Sequence, residues 1–432
     1  MTQPNILYLH AHDCGRYIQP YGFDIPTPNL QQLAEEGTLF RHCYCVGPTC
    51  SPSRAGLVTG QSAHSSGMTG LAHRGWSLTD YNRHIVHPLH EAGYTSALIG
   101  FQHVARDPEM IGYEKVVPTP DGPVLAAEEY FEMAPEQPFF ASVGLTVTHR
   151  GYAEPSGEGA EDPRYCRPPE PLPDTPRTRR DMAAYKASAR ILDEQMGRVL
   201  DALQWAGLED DTLVICTTDH GIAFPRMKCN LTDGGIGVML LMRGPGGFRE
   251  GEVSDALISQ ADIFPTICDL AGIDVPDWVE GTSFMPVVRG ETQEVNDAIF
   301  SEVNYHAAYE PQRCVRTRRY KYIRRYGELA DRTILPNCDD SPSKSVWVEN
   351  GWKERRVAPE QLYDLVFDPN ESDNLAGEEM HQDVLEKLRG RLQRWMEQTD
   401  DPLLEGEVPA PSGARVNDPQ GDSPGGPSHV VS

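Results

Sequence analysis

An α/β fold built on a large, mostly parallel sheet sandwiched by helices, with a smaller C-terminal α+β subdomain, is what the patterning of the chain predicts. Short all-apolar runs alternate with longer stretches of helical periodicity, as buried parallel strands joined by helices do. Several runs end in polar, ionisable residues, which is where open α/β sheets bind ligands. Near Asn296 the texture shifts to antiparallel-type strands and one amphipathic helix. These observations divide the chain into 1–290, the α/β domain with the site, 291–399, the sheet-plus-helix subdomain, and 400–432, a Pro-, Gly-, Ser- and Asp-rich tail read as disordered.

Ile6 to Leu9 is the first buried strand, and it delivers His10-Ala11-His12-Asp13-Cys14-Gly15 at its end. Thr27 caps a helix that has Pro28 at its first position and Gly37 after its last, with Leu30, Leu33 and Ala34 on one face. Ser77 to Ala92 is helix-like but interrupted by Pro88, and Tyr94 to Gly100 is a second buried strand. A third, Phe139 to Leu145, ends near His149. The Pro-rich excursion Glu154 to Arg177 is too polar for core and reads as a rim or lid loop. Asp181 to Ala206 is the longest helical pattern, with Ile191, Met196, Val199 and Leu203 among its apolar positions. Strands Thr212 to Thr217, which stops at Thr218-Asp219-His220-Gly221, and Val238 to Met242 follow. In the C-terminal part, Ala298 to Val303, Cys314 to Ile323 and Gln361 to Leu365 read as strands and Met380 to Gln398 as a helix.

Composition narrows the function. In 432 residues, 38 Lys and Arg stand against 64 Asp and Glu, a net charge of −26. That balance argues against nucleic-acid partners and anionic membranes, so an anionic substrate must be drawn by a local group of cations. The chain opens directly on its first strand, with no secretory leader and no membrane-length apolar run, and a cytoplasmic location is expected. Ten scattered cysteines form neither metal-binding pairs nor a disulfide framework and are expected to be mostly reduced.

The stretch Cys50-Ser51-Pro52-Ser53-Arg54-Ala55-Gly56-Leu57-Val58-Thr59-Gly60 organises the rest. Pro52 presets a helical first turn, Ser51 or Ser53 can satisfy its free N–H groups, and Gly60 ends it. Cys50 is thus expected at a helix N-terminus, where the dipole favours negative charge, with Arg54 one turn on and able to point back. Two acid–imidazole pairs, His12-Asp13 and Asp219-His220, stand at strand ends that one sheet can bring together around a divalent cation. Taken singly, each pair is more often a capping Asp beside a surface His.

The run Cys-x-Pro-Ser-Arg with its Thr-Gly pair resembles the signature of the type I sulfatases of the alkaline phosphatase superfamily, and the likeness extends over roughly residues 4 to 398. It implies an alkaline phosphatase-like fold and a sulfuric ester hydrolase. It implies further that a separate maturation enzyme oxidises Cys50 to Cα-formylglycine, whose hydrated aldehyde is the nucleophile, with Arg54 stabilising it. Asp13, Asp219 and His220 then become metal ligands together with residue 50, and His12 stands where the family has Asp. Calcium is the family's usual metal. Imidazole in place of a carboxylate shifts preference toward Mn²⁺, Mg²⁺ or Zn²⁺. His103, in Gly100-Phe101-Gln102-His103, falls at the family's Gly-Lys-x-His and is expected to bond the nucleophile or sulfate. Phe101 replaces the catalytic Lys, leaving Arg54 and Lys228, or an incoming Arg106 or Arg150, to supply positive charge. His149 is the expected general acid and Lys228 a sulfate contact. Leu362-Tyr363-Asp364 and Asn374-Leu375-Ala376 match structural stretches of the family. The Cys50 region, Gly67 to Leu71 and the Tyr185 to Ala206 helix are most similar to the sulfamidases, the N-sulfoglucosamine sulfohydrolases, in which a segment like that of His306 and Arg313 shapes the sugar pocket.

The resemblance therefore predicts hydrolysis of a sulfate ester or sulfamate, on a sulfated small molecule or glycan. The alternatives are a phosphonate monoester or phosphodiester hydrolase of the same superfamily and a non-catalytic relative. Self-association into a homo-oligomer stays open.

Overall fold

Strand β1 (Asn5–His10) is buried along its whole length, which is why its sequence runs apolar instead of alternating. Successive side chains point to opposite faces, Ile6 and Tyr8 into one core and Leu7 and Leu9 into another. The computed structural model, which describes residues 3–155 and 160–432, builds the main sheet around this strand. Eight further strands complete it: β2 (Thr38–Tyr44), β3 (Thr95–Gly100), β4 (Lys115–Val117), β5 (Phe139–Gly144), β6 (Thr212–Thr217), β7 (Gly237–Val238), β8 (Leu240–Arg243) and β9 (Glu252–Ser259). Their order is β4-β3-β5-β1-β6-β8-β2-β7, with β9 paired to β2. From β4 to β6 the sheet is parallel, while β8 runs antiparallel to both β6 and β2. Val238 to Met242 is thus two strands, broken at Met239, whose N–H donates to the Gly15 carbonyl.

Helices Pro28–Glu36, Pro123–Glu132 and Pro176–Trp205 cover one face, and Cys50–Thr59, Val86–Glu91 and Ile263–Ala271 the other. The thirty-residue helix Pro176–Trp205 begins earlier than its apolar periodicity suggests, because Thr175 and Thr178 form a reciprocal cap. It buries Leu192, Met196, Val199 and Leu203 on one stripe, each contributing about 1.5–3 kcal/mol by leaving water. It also contributes Asp193, whose carboxylate accepts from the Asn29 and Leu30 N–H groups at 3.1 and 2.8 Å. Asp193, not Thr27, therefore caps the helix Pro28–Glu36. The Thr27 hydroxyl is occupied locally, donating to the Ile25 carbonyl and accepting from the Gln19 N–H. Ser77 to Ala92 resolves into a short 3₁₀ turn, Tyr81–Arg83, and the helix Val86–Glu91, with Pro88 held in its first turn.

The C-terminal part is an antiparallel sheet, β10 (Ile299–Tyr305), β11 (Tyr309–Arg316), β12 (Tyr320–Arg325) and β13 (Glu360–Asp364), in sequence order. Cys314 to Ile323, expected as one strand, is two, divided by a turn at 317–319 where Thr317 and Tyr320 bond to each other. The helix Gln382–Gln398 lays Leu385, Leu388, Leu392 and Met396 on this sheet against Val315, Tyr322 and Leu362. Residues 400–432, expected to be disordered, are tied down. The Asp401 carboxylate accepts from Arg313, the Val408 carbonyl from the Tyr305 hydroxyl, and Asn417 bonds to the Ala307 carbonyl and Arg74. A two-stranded hairpin, β14 (Arg415–Asn417) with β15 (Ser428–Val430), completes the segment. Tail composition carries little apolar burial, so side chains elsewhere in the chain supply the order.

Candidate active site

Strands β1 and β6 are parallel neighbours with His10 opposite Thr217, so the residues that follow each strand emerge side by side. This register brings His12-Asp13 against Asp219-His220 from positions more than two hundred residues apart. Asp13, in the left-handed region at φ 50°, donates its N–H to Asp219 Oδ1 at 2.8 Å. The helix Cys50–Thr59 follows β2 and supplies the third segment, with Cys50 Sγ 3.4 Å from His220 Nε2. His12, Asp13, Cys50, Asp219 and His220 are all buried, and one ligand atom from each lies within 4.8 Å of all the others. His12 Nδ1 is 2.7 Å from Asp13 Oδ1 and 3.3 Å from Asp219 Oδ2. His220 Nε2 is 3.2 Å from Asp13 Oδ1.

Ser51 and Ser53, expected as caps of the Cys50 helix, are used elsewhere. The Ser51 hydroxyl accepts from the Ala72 N–H at 3.0 Å, and the Ser53 hydroxyl donates to the Asp219 carbonyl and pairs with Gln260. Arg54 lies one turn into the helix and does reach the site. Its guanidinium donates to Asp219 Oδ2 at 3.0 Å, the Ala11 carbonyl at 2.9 Å and His10 Nδ1 at 2.7 Å. Lys228 Nζ sits between Asp13 Oδ2 at 2.8 Å and Asp339 Oδ2 at 3.0 Å.

Burial would raise both site carboxylates, but the hydrogen bonds and charges around them outweigh it. Lys228, His12 and His220 hold Asp13 well below the carboxylate range, and His220, His12 and Arg54 do the same for Asp219. Burial lowers His12 despite the two acids beside it, favouring the neutral imidazole that metal ligation needs. Burial also pushes the Cys50 thiol well above its ordinary value. Lys228 moves up against the effect of burial because Asp13 and Asp339 surround it. The donor set, two imidazoles and two ionised carboxylates from two segments with no exposed ligand atom, fits a divalent cation.

A cleft of about 750 Å³ opens over this centre, lined by His12, His73, Phe101, His103, His149 and Arg150. The Phe101 ring lies 5.1 Å from the Arg54 guanidinium and 5.0 Å from the His12 ring, so an aromatic face meets the arginine where an ammonium was expected. Gly144 makes this approach fit, since a Cβ there would lie 2.0 Å from the Phe101 carbonyl oxygen and 2.6 Å from the His10 ring. Arg150, one cation thought free to replace the lysine, is instead clamped by Asp181 at 2.5 and 3.0 Å. Arg106 is exposed and lies outside the residues lining the cleft. His149 is exposed at the mouth, its ring 4.6 Å from that of His12, with Nδ1 donating to the Arg150 carbonyl at 3.1 Å. The His103 ring is 6.4 Å from that of His12 and bonds to His73. Ala153, just before the rim excursion, lines the cleft, whereas residues 156–159 within the excursion lie outside the described residues.

His306 is buried, with Nδ1 meeting no partner among the described residues, and the charges nearest it belong to Lys228, Asp339, His220 and Asp13. Burial first and Lys228 second push it down to about 3. Arg313, expected in a sugar pocket, is not there. It is completely enclosed, bidentate to Asp401 at 2.5 and 2.8 Å and 3.3 Å from Glu302, and holds the C-terminal segment on the small sheet. Asp339, His10 and His73 were not singled out from the sequence. Asp339 and His73 lie in stretches without a motif and His10 just ahead of the first acid–imidazole pair, and only the tertiary approach of residues far apart in sequence gives them partners.

The sulfatase family model matches residues 4–273, and the model described as N-sulphoglucosamine sulphohydrolase, C-terminal, matches 227–350. Human N-sulphoglucosamine sulphohydrolase is 30% identical over 93% of this chain and 91% of its own length. An ulvan-active sulfatase of Formosa agariphila is 28% identical over 95% of this chain and 83% of its own. The crystal structure of a putative sulfatase from Bacteroides thetaiotaomicron superimposes with a TM-score of 0.75, at 23% identity, over 95% of this chain and 96% of the other. With a domain match across more than half its length and a cluster that fits a metal at the strand ends, the chain belongs to the sulfatase family of sulfuric ester hydrolases.

Proposed function

We propose that the protein hydrolyses a sulfate ester or sulfamate on a carbohydrate, using Cα-formylglycine at position 50 and one divalent cation held by His12, Asp13, Asp219 and His220. The observation that carries this reading is the convergence of Cys50 with those four side chains inside 4.8 Å, at the N-terminus of a helix. Once in place, the hydrated aldehyde supplies an oxygen nucleophile and the cation supplies Lewis-acid charge. The state of Cys50 supports the need for conversion, because a buried thiol kept protonated is a poor nucleophile.

The remaining steps belong to this chain's own groups. Arg54, fixed by Asp219, His10 and Ala11, brings a guanidinium to the start of the Cys50 helix, where the helix dipole adds to its pull on an anion. Lys228 is the second cation. Asp13, Asp219 and Asp339 against Arg54 and Lys228 leave the centre with one negative charge, which a bound dication turns into one positive charge that matches a sulfate monoanion. His149 donates through Nδ1 to a carbonyl, which leaves Nε2 to protonate a departing oxygen or nitrogen only when the ring is an imidazolium. The likeness to the human sulphohydrolase, through both halves of the chain, supports a sulfamate on an amino sugar as the substrate.

A mass spectrum of the Cys50 peptide, from protein made in its own host, tests the nucleophile. An unmodified thiol there would refute the mechanism. Parallel kinetics on glucosamine N-sulfate, an aryl sulfate and an aryl phosphodiester test the substrate class, and preference for the diester would overturn it.

A further inference from the structure

The mouth of the cleft holds a pair of imidazoles that the reaction above leaves unused in part. His73 Nδ1 lies 2.7 Å from His103 Nε2, with the rings nearly parallel at 14° and their centroids 4.9 Å apart. Both partners are built in. His73 sits on the 3₁₀ turn Ala72–Arg74, which is anchored at one end by the Ala72 N–H on Ser51 Oγ and at the other by Arg74 on Asn417 Oδ1 at 2.9 Å. His103 has its backbone at φ 84°, a region that costs a residue with a side chain of order 1–3 kcal/mol and persists where the surroundings impose it. The other nitrogen of His103, Nδ1, is buried and has no hydrogen-bond partner among the described residues. The His103 ring centroid lies 5.3 Å from that of Phe101 and 6.4 Å from that of His12.

Two ring nitrogens at hydrogen-bond distance share one proton, so one ring must donate and the other accept. His73 is exposed to water, where a neutral histidine favours the Nε2–H form and keeps a lone pair on Nδ1. His103 must then give its Nε2 proton to that contact. We propose that His73 is a positioning residue, which locks His103 in the Nε2–H tautomer and so leaves a bare, buried Nδ1 lone pair on a residue that lines the cleft. His103 therefore accepts a hydrogen bond from a hydroxyl or amine in the site and does not donate one to a sulfate oxygen. The kinetic consequence rests on the sulfatase reading, whereas the tautomer itself does not.

The test uses the full chain with residue 50 converted to formylglycine, ring-¹⁵N-labelled histidine and 4-nitrophenyl sulfate as the probe. The His103 signal is identified by its loss in His103→Gln. The expected spectrum shows His103 protonated on Nε2. His73→Phe removes the acceptor, and His103 should lose its Nε2–H preference while kcat falls about tenfold or more and KM stays within about threefold. His73→Asn places an amide oxygen close to the position of Nδ1 and should recover most of kcat. His103 protonated on Nδ1 in the unaltered protein would overturn the proposal, as would a His73→Phe variant with unchanged tautomer and kcat, or a His73→Asn no better than His73→Phe. Failure of the unaltered protein to turn over the probe would count against the sulfatase reading alone, and the ring spectra would still decide the tautomer.

Discussion

Replacing Lys228 with Met separates what this residue does for the fold from what it does for the reaction. The side chain is 4% exposed and its ammonium lies 2.8 Å from Asp13 and 3.0 Å from Asp339. At an effective dielectric near 20 each contact is worth about 5–6 kcal/mol before desolvation is counted. Removing the shared cation strands the buried Asp13 and the half-buried Asp339, and breaking a buried pair from one side typically costs about 3–5 kcal/mol. Urea unfolding of Lys228→Met, with metal chelated, should show a loss of that size. Lys228→Met combined with Asp339→Asn removes one stranded charge and should recover about half of it. Turnover should behave differently. A missing cation beside a developing sulfate charge costs about 10²–10³ in kcat, and Asp339→Asn cannot restore it. A single variant that loses under about 1 kcal/mol, or a double variant that regains turnover, would refute the assignment of Lys228 as both counter-ion and sulfate contact.

Three further outcomes follow from the same geometry. Chelation should lower the melting temperature and abolish turnover, Mn²⁺ or Zn²⁺ should restore both better than Ca²⁺, and His12→Asp should shift that order toward Ca²⁺, as read by isothermal titration and activity. Arg313→Met should cost about 3–5 kcal/mol in urea because it strands the buried Asp401, yet leave KM of the folded fraction unchanged, since Arg313 does not line the cleft. His84 is fully buried, and burial first, then His87 and His90, depress it to about 3. Its folded pKa lies below its unfolded one, so the stability it contributes is complete above pH about 6.5 and is lost as the pH falls toward 3, at about 1.4 kcal/mol per pH unit. The urea midpoint of His84→Phe should therefore fall less steeply with acid than that of the unaltered chain.

The parts of this site that a reader can find in the chain are those where chemistry fixes residue types at short spacing. His12-Asp13 and Asp219-His220 each end an apolar strand, and parallel pairing of neighbouring strands leaves their following residues little choice but to meet. Residues that escape such a reading have partners chosen by distant segments. Ser51 and Ser53 look like helix caps because local rules assign hydroxyls to the nearest free N–H, yet Ala72 and Asp219 compete for them successfully. Thr27 loses the same contest to Asp193. Arg313 has the chemistry of an anion-binding residue, and only the arrival of Asp401 from beyond the last helix turns it into a clamp. The ordered C-terminal segment escapes for that reason too.

Phe101 shows why the substitution at the most conspicuous motif position can leave the site functional in charge. A lysine there would add a second full cation within about 5 Å of Arg54, roughly 3 kcal/mol of repulsion at a dielectric near 20, which family members with an acidic residue at position 12 can offset. Here position 12 is an imidazole held neutral by burial, one negative charge fewer. An aromatic face at 101 removes one positive charge from the same spot and holds the guanidinium by its ring electrons instead. The two departures therefore balance: His12 and Phe101 together conserve the net charge of the centre. Phe101→Lys alone should thus lower metal affinity, and Phe101→Lys with His12→Asp should return it, measured by titration of the metal-free protein. Metal binding that is indifferent to Phe101→Lys, or a double variant weaker than either single one, would break the link between the two positions.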